Sequence, residues 1–426
     1  MKKLLIFANP FLPSAGIGTK RISKFVKYLP ANGWEPIVVA PKIKQADEFD
    51  QNQDYTIHRV PLIGPALVYD LARKLFPRKR GTGKVSSANN NSPKQGSPRS
   101  KVFNDWLFIP DQYILWGIFA AFKAAKSVNK DEVEACFATG PSFSSLIAGT
   151  LYSKFTGKKL YLDFRDPWIG NEFIHHKTKL HYKINAMLEK FVVKQAEKVI
   201  SVAPALQEQF QNRYPQYAEK FIVINNGYDP DDIPEINSFN TNKEEFTITH
   251  TGTFYGEKNP GTFLQALHLL KIENPDLLLK VKFVGGFDDS YKEYVENHNL
   301  AEWVEHVGFV PYLESMRHQA ESDTLLLIPG PGLGTVTGKF YEYLSMKKPI
   351  LTIGLKNSNL ERLLDYTDSG IVAEAHSPQE IKQVILDLVS RSKSFSFENI
   401  EQFRFDLLAE QLIKVIENQK IQERQV

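Results

Sequence analysis

The residues best suited to do chemistry lie in one stretch, G-T-V-T-G-K-F-Y-E-Y-L-S-M-K-K-P-I-L-T-I, at positions 334 to 353. A loop holding Gly334, Thr335 and Thr337 runs into a helix expected to begin near Gly338, and a strand over Pro349–Ile353 follows. The first N–H groups of a helix have no internal partners, and the helix dipole adds about half a positive charge there. Such a start suits a phosphate. Lys339 stands at this start and Glu342 about one turn later on the same face. Phe340, Tyr343, Leu344 and Lys347 fall on the neighbouring face, which reads as the packing side. A carboxylate repels phosphate but accepts strong hydrogen bonds from the vicinal hydroxyls of a ribose beside it. The competing reading is that Glu342 only complements the helix dipole.

A second set of candidates follows apolar, strand-like runs. Arg165 and Asp166, in L-D-F-R-D-P-W, stand where open α/β sheets place their ligands. Asp166 could orient or deprotonate an acceptor hydroxyl and Arg165 could hold an anion; alternatively the pair lock each other or anchor a turn ahead of Pro167. Asp111, in I-P-D-Q, either faces the same region or makes a turn. Gly16 and Gly18 either let the backbone approach a ligand or build a plain strand-to-helix turn. Three familiar motifs fail inspection. G-I-G-T-K-R has Arg21 where the dinucleotide fingerprint needs a third Gly, and G-T-V-T-G-K-F has Phe340 where a P-loop needs a hydroxyl. Asp229-Pro230-Asp231 imitates a metal-binding Asp-x-Asp but reads as a turn. No metal site is expected.

These residues need a scaffold, and the hydrophobic pattern describes one. Short apolar runs alternate with amphipathic helical stretches, as in a parallel sheet covered by helices. Leu4–Ala8, Ile37–Ala40, Cys136–Thr139, Leu160–Phe164 and Val199–Val202 are the expected strands of a first set. Between the first two, Ile22, Phe25, Val26 and Leu29 line one face of a helix stopped near Gly33. A second set comprises Phe246–Thr251, Lys280–Val284, Val304–Val307, Thr324–Ile328, Pro349–Ile353 and Ile371–Ala373. The fold class is therefore α/β, with two Rossmann-like doubly wound domains and a cleft between them. The expected divisions are 1–235, 236–398 after a Pro- and Asp-rich linker, and a closing C-terminal helix over 399–426.

Composition narrows the class further. A chain of 426 residues, 42% hydrophobic and 24% charged, suits a globular protein with two cores. The lone cysteine, Cys136, excludes an internal disulfide framework and fits a reducing compartment. The apolar run after Met1 ends at Asn9-Pro10, too short for a secretory segment, and no run is long enough to span a membrane. Residues 73–101 carry nine Lys or Arg and no acid, so with a net charge of +3 the remainder stands at −6. This stretch reads as a basic flexible insertion, either facing an anionic membrane or merely solubilising, with too few aromatics to stack nucleic acid.

The order of several segments resembles family-4-like glycosyltransferases, which have the GT-B fold. The family's Glu-x7-Glu pattern places one Glu on the donor sugar and a second on the nucleotide ribose. Glu342 matches the second, whereas Gly334 stands in place of the first. H-T-G-T-F-Y-G-E-K-N-P is similar to the first turn of the donor domain, where the family has Gly-Arg and then Lys; here Gly252 is followed by Thr253, and Lys258 matches the Lys. P-F-L-P-S-A-G-I-G resembles the acceptor-side loop, with Gly16 and Gly18. The resemblance implies transfer of a sugar from a nucleotide-sugar, which is a substrate and not a cofactor, to a glycan or lipid-linked acceptor. It implies retention of configuration and no metal. A departing diphosphate then needs fixed positive charge; Lys258, at a family position, and Lys339 are the candidates, and the alternative for either is a solvated surface cation. Its usual setting is cell-envelope polysaccharide assembly, cytoplasmic or peripheral on the inner face of the cell membrane, without nucleic acid. A sugar-nucleotide 2-epimerase and a non-catalytic nucleotide-sugar or membrane-binding protein remain open alternatives.

Overall fold

The computed structural model describes residues 1–14, 17–62, 109–171, 178–234, 245–256, 258–330, 332 and 336–419. Gly16, Gly334, Thr335 and the basic stretch 73–101 lie outside them. The chain divides into two compact units, Met1–Ile224 with Ala409–Ile421, and Asn225–Leu408.

In the first unit the order is β1 (Lys2–Ala8), α1 (Ile17–Tyr28), β2 (Trp34–Lys42), α2 (Ala46–Gln51), β3 (Thr56–Pro61), α3 (Ile114–Ser127) and β4 (Val133–Gly140). Then come α4 (Phe143–Thr156), β5 (Lys159–Phe164), α5 (Lys179–Gln195), β6 (Lys198–Ser201), α6 (Pro204–Arg213) and β7 (Phe221–Val223). The strands form one parallel sheet in the order β3-β2-β1-β4-β5-β6-β7. Alternate strand residues face opposite sides. Leu5 and Phe7 join the core beneath α3, α4 and α5, while Phe137 meets Phe25 of α1 edge-on. Ile22, Phe25, Val26 and Leu29 are all buried, and Gly33 closes this segment in the left-handed region at φ 77°.

The second unit runs β8 (Phe246–Thr251), α7 (Gly261–Glu273), β9 (Leu279–Val284), α8 (Asp289–Asn297), β10 (Val304–Gly308), α9 (Tyr312–Ala320) and β11 (Thr324–Leu327). It continues with α10 (Gly338–Ser345), β12 (Ile350–Gly354), α11 (Asn359–Thr367), β13 (Gly370–Glu374) and α12 (Pro378–Val389). Its sheet is parallel in the order β10-β9-β8-β11-β12-β13. Strand order reverses at β1/β4 in one unit and at β8/β11 in the other, the positions where doubly wound sheets open a crevice.

Four expectations change. The first sheet does not close at Val199–Val202: β3 and β7 extend it at both edges. The stretch after Ile224 is no free linker. Tyr228 pairs with Arg404, exchanging backbone bonds of 2.9 Å with Phe403 and Phe405, and Asp229 is buried. The division accordingly falls at Ile224, ahead of 235. The C-terminal segment is a short 3-10 turn, Glu401–Phe403, followed by α13 (Phe405–Ile416), which begins in the second unit and ends in the first. Lys347, finally, is exposed, because α10 ends at Ser345 and the chain turns away at φ 51°.

Candidate functional site

Several of the residues expected to bind a donor lie at the β8/β11 crevice. Chain direction turns sharply after β8 and β9, and glycines make that possible. Gly252 has φ 133° and Gly285 φ 128°; a Cβ on Gly285 would sit 2.2 Å from the Gly252 carbonyl oxygen. Gly286 likewise leaves no room beside Thr253, where a Cβ would lie 2.7 Å from its methyl carbon. The two loops thus pass each other backbone to backbone. Facing them, α10 starts at Gly338, where an added Cβ would meet open space. Thr337 is the extended residue before it; its hydroxyl makes no capping bond and is buried without a partner.

Lys339 reaches back to this turn. Its Nζ donates to Thr251 Oγ1 at 3.1 Å, and its Cε would touch a Cβ on Gly252 at 3.1 Å. Glu342 Oε1 lies 4.0 Å from Lys339 Nζ and accepts a 2.8 Å bond from Gln319 Nε2. Gln319, fully buried on α9, also donates to Thr251 Oγ1 at 3.2 Å, and its own Oε1 has no partner. Tyr343 accepts from the Thr251 N–H at 2.9 Å, and burial pushes its phenol up. Tyr312 is also pushed up, by burial first and then by the charges of Glu342 and Asp232. His250 ends the cluster. The Leu326 carbonyl can only accept, so Nδ1 donates the 2.9 Å bond; burial, helped by Lys339, brings this imidazole down to about 3. The imidazole is therefore neutral beside the Lys339 cation.

The predicted residues thus divide. Gly252, Lys339 and Glu342 come together, Thr253 flanks them, and Thr337 and Gly338 form the helix start. Lys258 turns to Tyr255 instead, donating to its hydroxyl at 3.1 Å with the ring centroid 5.0 Å away. Among the described residues no bond joins Lys258 to the Lys339 cluster. Thr251, Gln319, His250 and Gly285 were not singled out from sequence, and Tyr343 was expected only to pack. Only the Gly285-Gly286 pair after a strand carried a signal there.

In the first unit Arg165 acts as a clamp. Its guanidinium donates to the carbonyls of Gly140 (3.1 Å), Gly18 and Pro141, tying the first turn of α1 to the end of β4. These bonds favour the turn-anchoring reading over anion binding. Asp166 is exposed, yet crowding by its surroundings raises its carboxyl above the usual range, with Arg165 pulling the other way. Asp111 holds the start of α4: it accepts from Ser144 N at 3.0 Å, from the Ser144 hydroxyl at 2.5 Å and from Tyr113 N at 2.9 Å. Deeper lies a pair absent from the sequence reading. Arg21 and Asp163 are buried 3.0 Å apart, with Thr139 donating to Asp163 at 2.7 Å and Arg21 to the Ile224 carbonyl at 2.9 Å. Around the β1/β4 turn the buried Asn9 Nδ2, Thr19 Oγ1, Ser142 Oγ and Ser145 Oγ have no partners.

Two doubly wound parallel α/β units of this kind define a GT-B protein. Residues 231–396, which lie in the second unit, match the family model described as glycosyl transferases group 1. Solved structures similar over 98% of this chain include a glycosyltransferase from Rickettsia africae ESF-5, at TM-score 0.64 and 14% identity over 98% of that chain. The Anabaena HepE protein in complex with UDP aligns at 0.61 and 14% over 100% of its chain. A sucrose-phosphate synthase from Thermosynechococcus elongatus aligns at 0.63 and 13% over 99%. Among curated proteins none matches the chain.

Proposed function

We propose that the chain transfers a sugar from a nucleotide-sugar to a glycan or lipid-linked acceptor, with retention of configuration and without a metal. The observation that carries this reading is the Gly252–Lys339–Glu342 arrangement. Gly338 faces open space at the start of α10, Lys339 supplies a cation for a diphosphate there, and Glu342 stands one turn further on for a ribose. The UDP complex of the Anabaena protein, which shares the fold, supports a nucleotide donor. During transfer the bond from the sugar's anomeric carbon to the diphosphate oxygen breaks, and the electron pair leaves with the diphosphate. Fixed positive charge stabilises the anion that forms. The acceptor oxygen bonds to the anomeric carbon and gives up its proton; Asp166, with its raised carboxyl, is the candidate to receive it. Arg165 is in this reading a positioning residue, since its donors are engaged by backbone.

A screen of nucleotide-sugars for binding, followed by hydrolysis of whichever binds, tests the proposal. Binding together with slow hydrolysis that survives EDTA is the expected result. Lys339→Met should weaken binding of a nucleoside diphosphate about tenfold while changing nucleoside affinity little, since it removes one charged contact to phosphate. Binding without any turnover would favour a non-catalytic role consistent with Gly334, and epimerised donor recovered without acceptor would favour a 2-epimerase.

A further inference from the structure

Helices α3, α4 and α5 pack side by side over the first sheet; α4 is buried from Phe143 to Ser153 apart from Leu151, and the exposed faces of α3 and α5 with the last turn of α4 have an unusual composition. Trp116, Ala120 and Ala124 of α3, Leu146 and Tyr152 of α4, and Val192 and Val193 of α5 point inward and are buried. Outward stand Phe119 and Phe122 (each 50% exposed), Phe155 (50%), Leu180 (57%) and Met187 (65%). Phe122 and Phe155 stack across α3 and α4 with centroids 5.1 Å apart, so their exposed edges form one aromatic patch. Among these apolar groups stand Lys126, Lys154, Lys179, Lys183 and Lys190, and among the described residues none of them is in an ion pair. Glu189 is the sole acid of the three helices, and it is fully buried against Arg213 and Tyr214.

We infer that this helical layer is a docking surface for an anionic lipid bilayer. Exposed large apolar groups interleaved with lysines, with no acid among them, match the acyl and headgroup layers of such a membrane. Lysine stems lie along apolar surface while their ammonium groups reach the headgroups. Nucleic acid would use the cations but has no use for Leu180 and Met187, and an acidic protein would not account for three half-exposed phenylalanines. Among the described residues no helix is long and apolar enough to cross a membrane, so the contact is one of a surface lying on the bilayer. The inference is independent of the donor-site reading, because none of its residues belongs to that site.

Co-sedimentation of the full chain with phosphatidylcholine vesicles, with and without phosphatidylglycerol, tests it. Binding should need the anionic lipid and weaken with added salt. Phe119→Ser/Phe122→Ser/Phe155→Ser and, separately, Lys179→Gln/Lys183→Gln/Lys190→Gln should each reduce vesicle affinity at least about tenfold. Circular dichroism should show both variants folded; the exposed lysine set keeps the test decisive if the phenylalanine set is not. Replacing the five cations between Arg73 and Arg80 with Ser should leave most of the binding. Three results would overturn the inference: equal binding by wild type and the lysine variant, loss of binding only on changing Arg73–Arg80, or lysine-dependent capture of DNA with no vesicle binding.

Discussion

Glu342 is where the chemistry of single residues is most exposed to test. Its carboxylate is held by Gln319, whose partner Thr251 also takes the Lys339 bond, so three bonds join four side chains at the turn. Glu342→Gln keeps the shape but removes the charged acceptor, which contributes about 1.5–3 kcal/mol when a hydrogen bond is made to it. Calorimetric titration should show nucleotide affinity falling by tenfold or more with the thermal midpoint little changed. Unchanged affinity would leave Glu342 a helix-dipole carboxylate. His250 offers a second test. Its folded value of about 3 lies below the ordinary 6.5, so between them the unfolded chain binds a proton that the folded chain refuses. The stability this gives is complete above 6.5 and is lost as pH falls towards 3, at up to about 1.4 kcal/mol per pH unit for one proton. Urea unfolding just above pH 6.5 and at about pH 5 should therefore show a steeper loss for wild type than for His250→Gln. Equal slopes would mean that His250 takes its proton in the folded state. Lys339 and Glu342 were legible in sequence because helix spacing is local. Gln319 was not: it reaches the turn only through the packing of α9 on β8, which no local pattern encodes.

Elements were legible wherever burial is two-sided. Strands such as β8 and β12 lie inside a parallel sheet, so they read as continuous apolar or β-branched runs. At the edges of the second sheet β10 and β13 keep enough of that signal to be expected, whereas the edges of the first sheet lose it. β3 contains His58, Arg59 and Pro61 and is partly exposed, while β7 is three residues long, and both were missed. The close passage of the loops after β8 and β9 was equally hidden, since it depends on a contact between residues 252 and 285. It makes a sharp prediction. Gly285→Ala adds both left-handed strain and a Cβ 2.2 Å from a carbonyl oxygen, whereas Gly308, at φ 85°, has nothing within 4 Å of its Cβ position. Gly308→Ala should cost about 1–2 kcal/mol from backbone conformation alone. Gly285→Ala should cost more, about 3 kcal/mol or above, and weaken nucleotide binding as the turn shifts. Denaturant titration of both variants compares them, and equal losses would show that the two loops separate easily.

At the scale of the whole molecule, each unit has its own core, yet the chain does not end where the second core is complete. After β1 to β7 are built, the first unit still lacks a segment that arrives only with the last residues. Ala409, Leu412, Ile413, Val415 and Ile416 are buried, and Tyr161 donates to the Ile416 carbonyl at 2.9 Å. Lys2 pairs with Glu417 at 2.6 Å, an exposed contact of little weight beside the apolar burial. Fully burying side chains of this size contributes about 1.5–3 kcal/mol each, so the segment contributes a large part of the stability of an ordinary domain. The sequence pattern revealed the helix but not which unit would own it, because an amphipathic face is equally apolar against either core. A chain ending at Leu408 should keep the second unit folded and destabilise the first. Hydrogen exchange reads the two separately: amides of β1 and β5 should exchange much faster, while those of β8, β11 and β12 stay as protected as in the full chain. Uniform protection across both sheets would show that the first unit is complete without its borrowed helix, and loss of protection in β8, β11 and β12 would show that the two units fold as one.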